Sequence, residues 1–216
     1  MKEYWPQEKS RDSHDMTQYS VHDMEYWKSH NQEHITAFDN PEIKLQTILD
    51  KHPDIRDAAI DIGCGAGWTS NMLSEHFKEV HSIDPSRKAI DICKEMYKDN
   101  PKISWYVGFA EELLPLIQAP KSSVLINTCS VFIHLSDEAV EPILEYINNN
   151  FSNSILSFQE IFSEERHFNQ GVIACRKKDW WKEKLSNWEL DFHGPDMSKW
   201  GEQFLDTGKG IHGYIK

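Results

Sequence analysis

A glycine-rich turn is the part of the sequence best suited to hold a ligand. Asp61 is followed at short intervals by Gly63, Gly65 and Gly67. Glycine permits positive φ angles and lets a ligand approach the backbone closely, and the first N–H groups of a following helix lack intrahelical partners. In a dinucleotide-binding G-x-G-x-x-G turn the third glycine would come one residue later, where this chain has Trp68. The acid before the glycines therefore favours a ligand with an ammonium group over one with a pyrophosphate.

The run D-I-G-C-G-A-G at 61–67 follows an apolar stretch that is typical of a strand. It resembles the first motif of the S-adenosylmethionine-dependent methyltransferases with a Rossmann-like fold (class I), of the small-molecule type. The resemblance implies that Asp61, Gly63, Gly65 and Gly67 bind S-adenosyl-L-methionine, which leaves as S-adenosyl-L-homocysteine. The alternative is a tight turn without a ligand, in which three glycines would lower stability without serving a site.

A second acid, Asp84, ends the next predicted strand. In the family that the glycine turn resembles, an acid at this place accepts hydrogen bonds from the ribose hydroxyls of the adenosine, as an acid does in dinucleotide-binding folds. The alternative is that Asp84 caps the helix that follows it.

The third segment, G-F-A-E-E-L-L-P at 108–115, resembles the family's G-D-A-E-x-L-P motif. The resemblance implies that Ala110 and Glu111 lie at the cofactor. Phe109 stands where the family has the Asp that meets the adenine amino group, so a backbone carbonyl, Glu111 or stacking on the Phe109 ring would replace that contact. Glu111 and Glu112 equally suit the first turn of a short helix.

The fourth segment, N-T-C-S-V-F-I-H-L at 127–135, ends in a run that resembles the V-L-x-H-L sequence of small-molecule methyltransferases. The resemblance places it beside the methionine half of the cofactor and the reacting methyl group, and assigns Thr128 to cofactor binding. An N-P-P-Y type run, which marks adenine-N6 or amide methylation, is missing here.

Two residues are candidates for a general base. His134 can be neutral at pH 7 and still accept a proton, and it slightly favours oxygen as the methylated atom; its alternative role is structural. Glu160 follows the fifth predicted strand, and its alternative is a solvated loop acid. A base matters most for a hydroxyl acceptor.

The candidate residues can form one site only if a sheet brings the ends of their strands together. Apolar runs predict strands at 58–62, 80–83, 103–107, 124–129, 154–158, 188–193 and 211–216, and helical periodicity lies between them, including a short helix near 111–118 and another over 177–188. Such alternation predicts an α/β fold with a doubly wound, mostly parallel, seven-stranded sheet of the Rossmann-like methyltransferase type. Ligands bind beyond the carboxyl ends of such strands.

The chain is predicted to divide into an N-terminal helical cap, residues 1–50, and the Rossmann-like domain, residues 51–216. Tyr19, Tyr26 and Trp27 would help close the substrate pocket, or would only pack the cap on the core. The connection 159–176 is long, and long connections are often functional; it is expected to line the acceptor site.

Composition limits the partners. The 216 residues carry a net charge of −12, which disfavours nucleic acid and an anionic membrane surface. Four cysteines without zinc-ligand spacing indicate a reduced, cytoplasmic protein and no metal site. The basic run 176–178 is expected to be the solvated face of a helix, or to steer an anionic small acceptor. An oligomer is possible.

The sequence thus predicts a methyltransferase for a small soluble acceptor. The alternatives are a methyltransferase for RNA or protein, a non-catalytic cofactor-binding regulatory module and, more distantly, a nicotinamide oxidoreductase.

Overall fold

The computed structural model describes residues 41–129, 131–132, 135–160, 162–163, 167–169, 173–193 and 210–215. Six helices lie in these ranges: α1 (Pro41–Lys51), α2 (Trp68–His76), α3 (Arg87–Met96), α4 (Ala110–Leu113), α5 (Asp137–Asn150) and α6 (Lys178–Lys184). The strands are β1 (Ala58–Ile62), β2 (Glu79–Asp84), β3 (Ile103–Val107), β4 (Val124–Cys129), β5 (Ile155–Gln159), β6 (Phe162–Ser163), β7 (His167–Asn169), β8 (Ile173–Lys177), β9 (Trp188–His193) and β10 (Gly210–Ile215).

Seven of the strands form one sheet in the order β3-β2-β1-β4-β5-β10-β9. Strands β1 to β5 pair in parallel, and β10 pairs antiparallel with both β5 and β9. The predicted α/β fold and its seven-stranded, mostly parallel sheet are confirmed. The strand order reverses direction between β1 and β4, and this reversal opens a crevice at the carboxyl ends of those strands.

Both faces of the sheet are covered. All five residues of β1 are buried, as expected for a central parallel strand. One face packs against the apolar sides of α5 and α6, through Ile60, Ile126 and Trp181 among others. The other face packs against α1 and α2, through Ala59, Leu73 and others. The buried residues of α5 are Ala139, Val140, Ile143, Leu144 and Ile147.

The first elements of the chain bear on the predicted cap. Residues 41–50, the described part of it, lie in α1, where Leu45, Ile48 and Leu49 join the core of the sheet. The rest of the cap, residues 1–40, lies outside the described residues. The boundary at residue 50 therefore stays a prediction, although α1 packs with the Rossmann-like domain.

Two predicted elements differ from the structure in a way that matters for the site. The helix expected over 177–188 covers only Lys178–Lys184, because a turn at 185–187 leads directly into β9. The long connection after β5 holds three short strands that form a second sheet in the order β6-β8-β7. The sequence pattern missed these strands because two of them have only two or three residues.

Candidate functional site

The glycine turn leaves β1 and begins α2 with three glycines in the left-handed region, at φ 70° for Gly63, 52° for Gly65 and 82° for Gly67. Only glycine adopts these angles without strain. A Cβ on Gly63 would overlap the Val131 side chain, and a Cβ on Gly67 would lie 2.7 Å from the Trp105 ring. A Cβ on Gly65 would meet no atom within 4 Å. The turn is thus packed on two sides and open above its central glycine.

Asp61 lies buried at the end of β1 and joins three elements. Its Oδ2 accepts a hydrogen bond from the Ser70 hydroxyl in α2 (2.6 Å), and its Oδ1 accepts one from the Asn127 amide in β4 (2.8 Å). Burial raises the pKa of Asp61 to about 6, against the lowering effect of these two hydrogen bonds. The carboxylate therefore fixes the turn against β4 and supplies negative charge from beneath it.

Asp84, at the end of β2, lies directly against the glycine turn. Its Oδ2 accepts a hydrogen bond from the Gly65 backbone N–H (2.9 Å), and its Oδ1 accepts one from the Ser86 N–H (2.8 Å). Burial raises the pKa of Asp84, and the two backbone hydrogen bonds oppose that rise. The Ser86 hydroxyl accepts from the Ala89 N–H and so caps α3 itself. The Asp84 side chain thus links Gly65 to the end of β2. The capping of α3 does not depend on Asp84 alone, because the Ser86 hydroxyl also caps it.

The end of β3 lies beside Asp84. The Gly108 N–H donates to the Asp84 carbonyl oxygen at 3.1 Å. Phe109 precedes α4 in an extended conformation, and Ala110, the first residue of α4, is buried. Glu111 lies in the first turn of α4, as one of its two predicted roles requires. The segment thus borders the same crevice as the glycine turn.

The chain beyond β4 is held by Glu160. This residue is fully buried, which contradicts the alternative of a solvated loop acid. Its Oε1 accepts a hydrogen bond from the Thr128 hydroxyl (2.8 Å) and one from the Val131 N–H (3.0 Å). Thr128 is also fully buried, so both side chains support the backbone beside the glycine turn. Their predicted roles toward substrate and cofactor stay predictions.

Arg176 corrects the expectation for the basic run 176–178. The run was expected on a solvated helix face, but Arg176 lies in β8 and is only 1% exposed. Its guanidinium donates to the carbonyl oxygens of Phe132 and Leu135, and forms an ion pair with Asp137. These partners lie far away in sequence, so a local pattern of Lys and Arg could not reveal the burial. Lys177 alone of the run is exposed.

The glycine turn also has a cysteine neighbour that sequence reasoning missed. The Cys93 thiol of α3 donates to the Gly65 carbonyl oxygen at 3.2 Å. A hydrogen bond with Cys93 and burial raise the pKa of the Cys64 thiol. The Cys64 thiol is therefore held in the protonated form, and Cys93 contacts the turn through its hydrogen bond to Gly65.

Several predicted residues lie outside the described part of the chain: Tyr19, Tyr26, Trp27 and His134. Their predicted roles stay predictions. Within the described ranges, no group of three His, Cys, Asp or Glu side chains is arranged to hold a metal ion. In the same ranges, no helix is long and apolar enough to cross a membrane.

The same region matches a family model. Residues 59–151, from β1 to the end of α5, match the model described as "Methyltransferase domain". The match contains the glycine turn, Asp84 and the chain that follows β4. This part of the chain is therefore similar to a methyltransferase domain.

Curated relatives of the methyltransferase domain differ in the atom that they methylate. The chain is 24% identical over 119 residues to malonyl-[acyl-carrier protein] O-methyltransferase of Halalkalibacterium halodurans, covering 53% of this chain and 44% of that protein. It is 34% identical over 92 residues to a Methanococcus vannielii protein named "Probable cobalt-precorrin-6B C(15)-methyltransferase (decarboxylating)", covering 41% and 51% respectively. The chain spans about half or less of the length of such relatives.

Solved structures show the same fold over more of the chain. The amino pentose methyltransferase CalS10 from Micromonospora echinaspora, solved with its bound cofactor, superposes with a TM-score of 0.64. The superposition covers 91% of this chain and 98% of that one, at 8% sequence identity. At this identity the likeness establishes the fold of the methyltransferase domain and not its acceptor.

Proposed function

We propose that this protein transfers a methyl group from S-adenosyl-L-methionine to a small soluble acceptor. The observation that carries the proposal is the contact between Asp84 and Gly65, at the open centre of the glycine turn. It places a carboxylate from the end of β2 beside the only glycine of the turn whose missing side chain leaves free space. An adenosine ribose above Gly65 would find this acceptor within reach.

The charge of the crevice agrees with this cofactor. Asp61 and Asp84 are buried beside the turn, and a sulfonium or ammonium group would offset the cost of their ionisation. A pyrophosphate on the glycine turn would be repelled by the Asp61 carboxylate. The residues present therefore fit S-adenosylmethionine better than a nicotinamide dinucleotide.

The protein's part in the reaction is alignment. The bound cofactor supplies an activated methyl group, whose carbon–sulfur bond breaks as the acceptor atom forms its new bond to carbon, and the electron pair stays on sulfur. Glu160 holds the Val131 N–H, and Asp61 ties α2 to β4 through Ser70 and Asn127. Fixed elements around the crevice would restrict the approach of the acceptor. A hydroxyl acceptor must also lose its proton, and His134 is the candidate that would take it.

Oxygen is favoured as the methylated atom because of His134, and a small acceptor is favoured because the net charge of −12 opposes binding to nucleic acid. The aromatic residues Tyr19, Tyr26 and Trp27 would close the pocket over it. The alternatives are an RNA or protein acceptor and a regulatory module that binds the cofactor without turnover.

Binding of S-adenosylhomocysteine tests the assignment of Asp84. We expect Asp84→Asn to weaken this binding about tenfold or more, because charge-assisted hydrogen bonds to the ribose lose strength. Isothermal titration calorimetry measures the affinity. Asp91→Asn on the exposed side of α3 is the matched control and should bind as wild type does.

Two results would count against the proposal. If the wild-type chain did not bind S-adenosylhomocysteine, the proposed cofactor would be wrong. If Asp84→Asn bound it with unchanged affinity, the proposed ribose contact would be wrong. Mass spectrometry of a metabolite pool incubated with labelled cofactor then separates a methyltransferase from a regulatory module, because only the former transfers the label.

A further inference from the structure

The chain that joins β4 to α5 is held at its described residues, 131–132 and 135–136, by two residues outside the family motifs. This linker, residues 130–136, includes His134 in its sequence. Glu160 accepts from the Val131 N–H at 3.0 Å. Arg176 donates through Nη1 to the Phe132 carbonyl (2.7 Å) and through Nη2 to the Leu135 carbonyl (2.6 Å).

Each nitrogen of the Arg176 guanidinium donates a hydrogen bond. It is 1% exposed, its Nε donates to Asp137 Oδ1 at 2.9 Å, and its centre lies 4.9 Å from the Trp180 ring. A buried charge is expensive unless it is paired and hydrogen-bonded. The planar fork of arginine meets two carbonyls and a carboxylate at fixed angles, which the single ammonium of lysine does not do.

The linker in turn packs on the glycine turn. Val131 fills the space that a side chain on Gly63 would need, so a shift of the linker would move atoms beside the cofactor site. Glu160 lies just before β6, and Arg176 lies in β8, the central strand of the β6-β8-β7 sheet. The chain segment after β5 therefore leads back to the linker, where Arg176 holds the carbonyl groups of Phe132 and Leu135.

We propose that Arg176 is a positioning residue for methyl transfer, acting through the carbonyl groups of Phe132 and Leu135 in the linker, while Glu160 holds the Val131 N–H. The inference rests on the proposed function. It predicts that loss of the guanidinium loosens the linker and slows turnover, while binding of the cofactor to the glycine turn and Asp84 persists.

Hydrogen exchange monitored by mass spectrometry tests the positioning without any acceptor. In Arg176→Gln, amides of a peptide that spans the linker should exchange about tenfold faster, since two backbone hydrogen bonds and an ion pair are lost. Peptides from β1 and β4 should exchange as in wild type. Lys177→Gln removes an exposed charge from the adjacent position and should leave the linker unchanged.

Arg176→Lys keeps the charge and serves if Arg176→Gln fails to fold. We expect intermediate exchange, because an ammonium cannot satisfy both carbonyls and Asp137 together. Exchange at the wild-type rate in Arg176→Lys, or equal acceleration in linker and core peptides of Arg176→Gln, would overturn the inference.

Kinetics with an acceptor identified by label transfer complete the test. In Arg176→Gln the kcat should fall about tenfold, with the KM for S-adenosylmethionine within about twofold of wild type. Added guanidinium chloride at non-denaturing concentration should restore part of the kcat in Arg176→Ala, and matched sodium chloride should not. An unchanged kcat would refute the inference. Failure of wild type to bind S-adenosylhomocysteine would instead refute the proposed function and leave the exchange result standing.

Discussion

Each carboxylate in the crevice has an internal partner. Asp61 holds Ser70 and Asn127, Asp84 holds two backbone N–H groups, and Glu160 holds Thr128. These hydrogen bonds fix the acids before any ligand arrives. A cation that enters therefore meets oriented negative charge and needs little rearrangement of the protein.

The Asp61 carboxyl should make the free energy of unfolding fall as pH rises. Its pKa is about 6 in the folded protein against 3.8 ordinarily, so the folded state holds its proton more tightly and loses stability as pH rises from about 4 to about 6. In Asp61→Asn this loss disappears. We expect the stability of wild type relative to Asp61→Asn to fall by about 2 to 3 kcal/mol across that range.

Urea unfolding of both proteins at a series of pH values measures this difference. The amide can still accept from Asn127 and donate to the Ser70 hydroxyl, so the variant should fold. A difference that is flat with pH would show that the Asp61 proton does not distinguish the folded from the unfolded chain.

At the scale of elements, α6 has a larger role than its length suggests. It has seven residues, yet its Trp181 packs with Phe132 from the linker and with Phe158 from β5, at ring distances of 6.1 and 6.3 Å. The helix thus packs against Phe132 of the linker, and Arg176, two residues before α6, donates to two carbonyl groups of the linker.

Trp181→Ala should therefore lower the free energy of unfolding by about 3 to 5 kcal/mol, because a large buried ring leaves a cavity. Glu183→Ala on the exposed side of the same helix should change it by less than about 0.5 kcal/mol. Chemical denaturation measures both. A loss in Trp181→Ala no larger than in Glu183→Ala would mean that α6 does not support the core.

At the scale of the whole molecule, the crevice that we propose for the cofactor joins parts of the chain from β1 to β5. A ligand bound there contacts only the folded state, so it raises stability by mass action. At a free concentration about 100 times its dissociation constant, S-adenosylhomocysteine should add about 2.7 kcal/mol.

That gain corresponds to a rise in Tm of roughly 5 to 10 °C for a chain of this size. Differential scanning fluorimetry measures it, with Asp84→Asn showing a smaller rise at the same ligand concentration. Equal rises in the two proteins would mean that the ligand stabilises some other site.

The sequence was sufficient for the features that are local. The alternation of apolar runs predicted the order of strands and helices, with β1, β3, β4 and β9 at their observed bounds. The spacing of Gly63, Gly65 and Gly67 predicted the turn, because only a backbone with positive φ requires glycine so often. The acids Asp61 and Asp84 followed from their place at strand ends.

Partners distant in sequence were decided by the tertiary structure alone. The predicted solvated role of Arg176 was wrong, and so was the alternative of a solvated loop acid for Glu160, because both side chains are buried against partners distant in sequence. Side-chain type and spacing carry no information about which backbone carbonyl a buried charge will meet. The sequence by itself determined where the glycine turn lies, and only the packing of the chain decided what holds that turn and the linker in place.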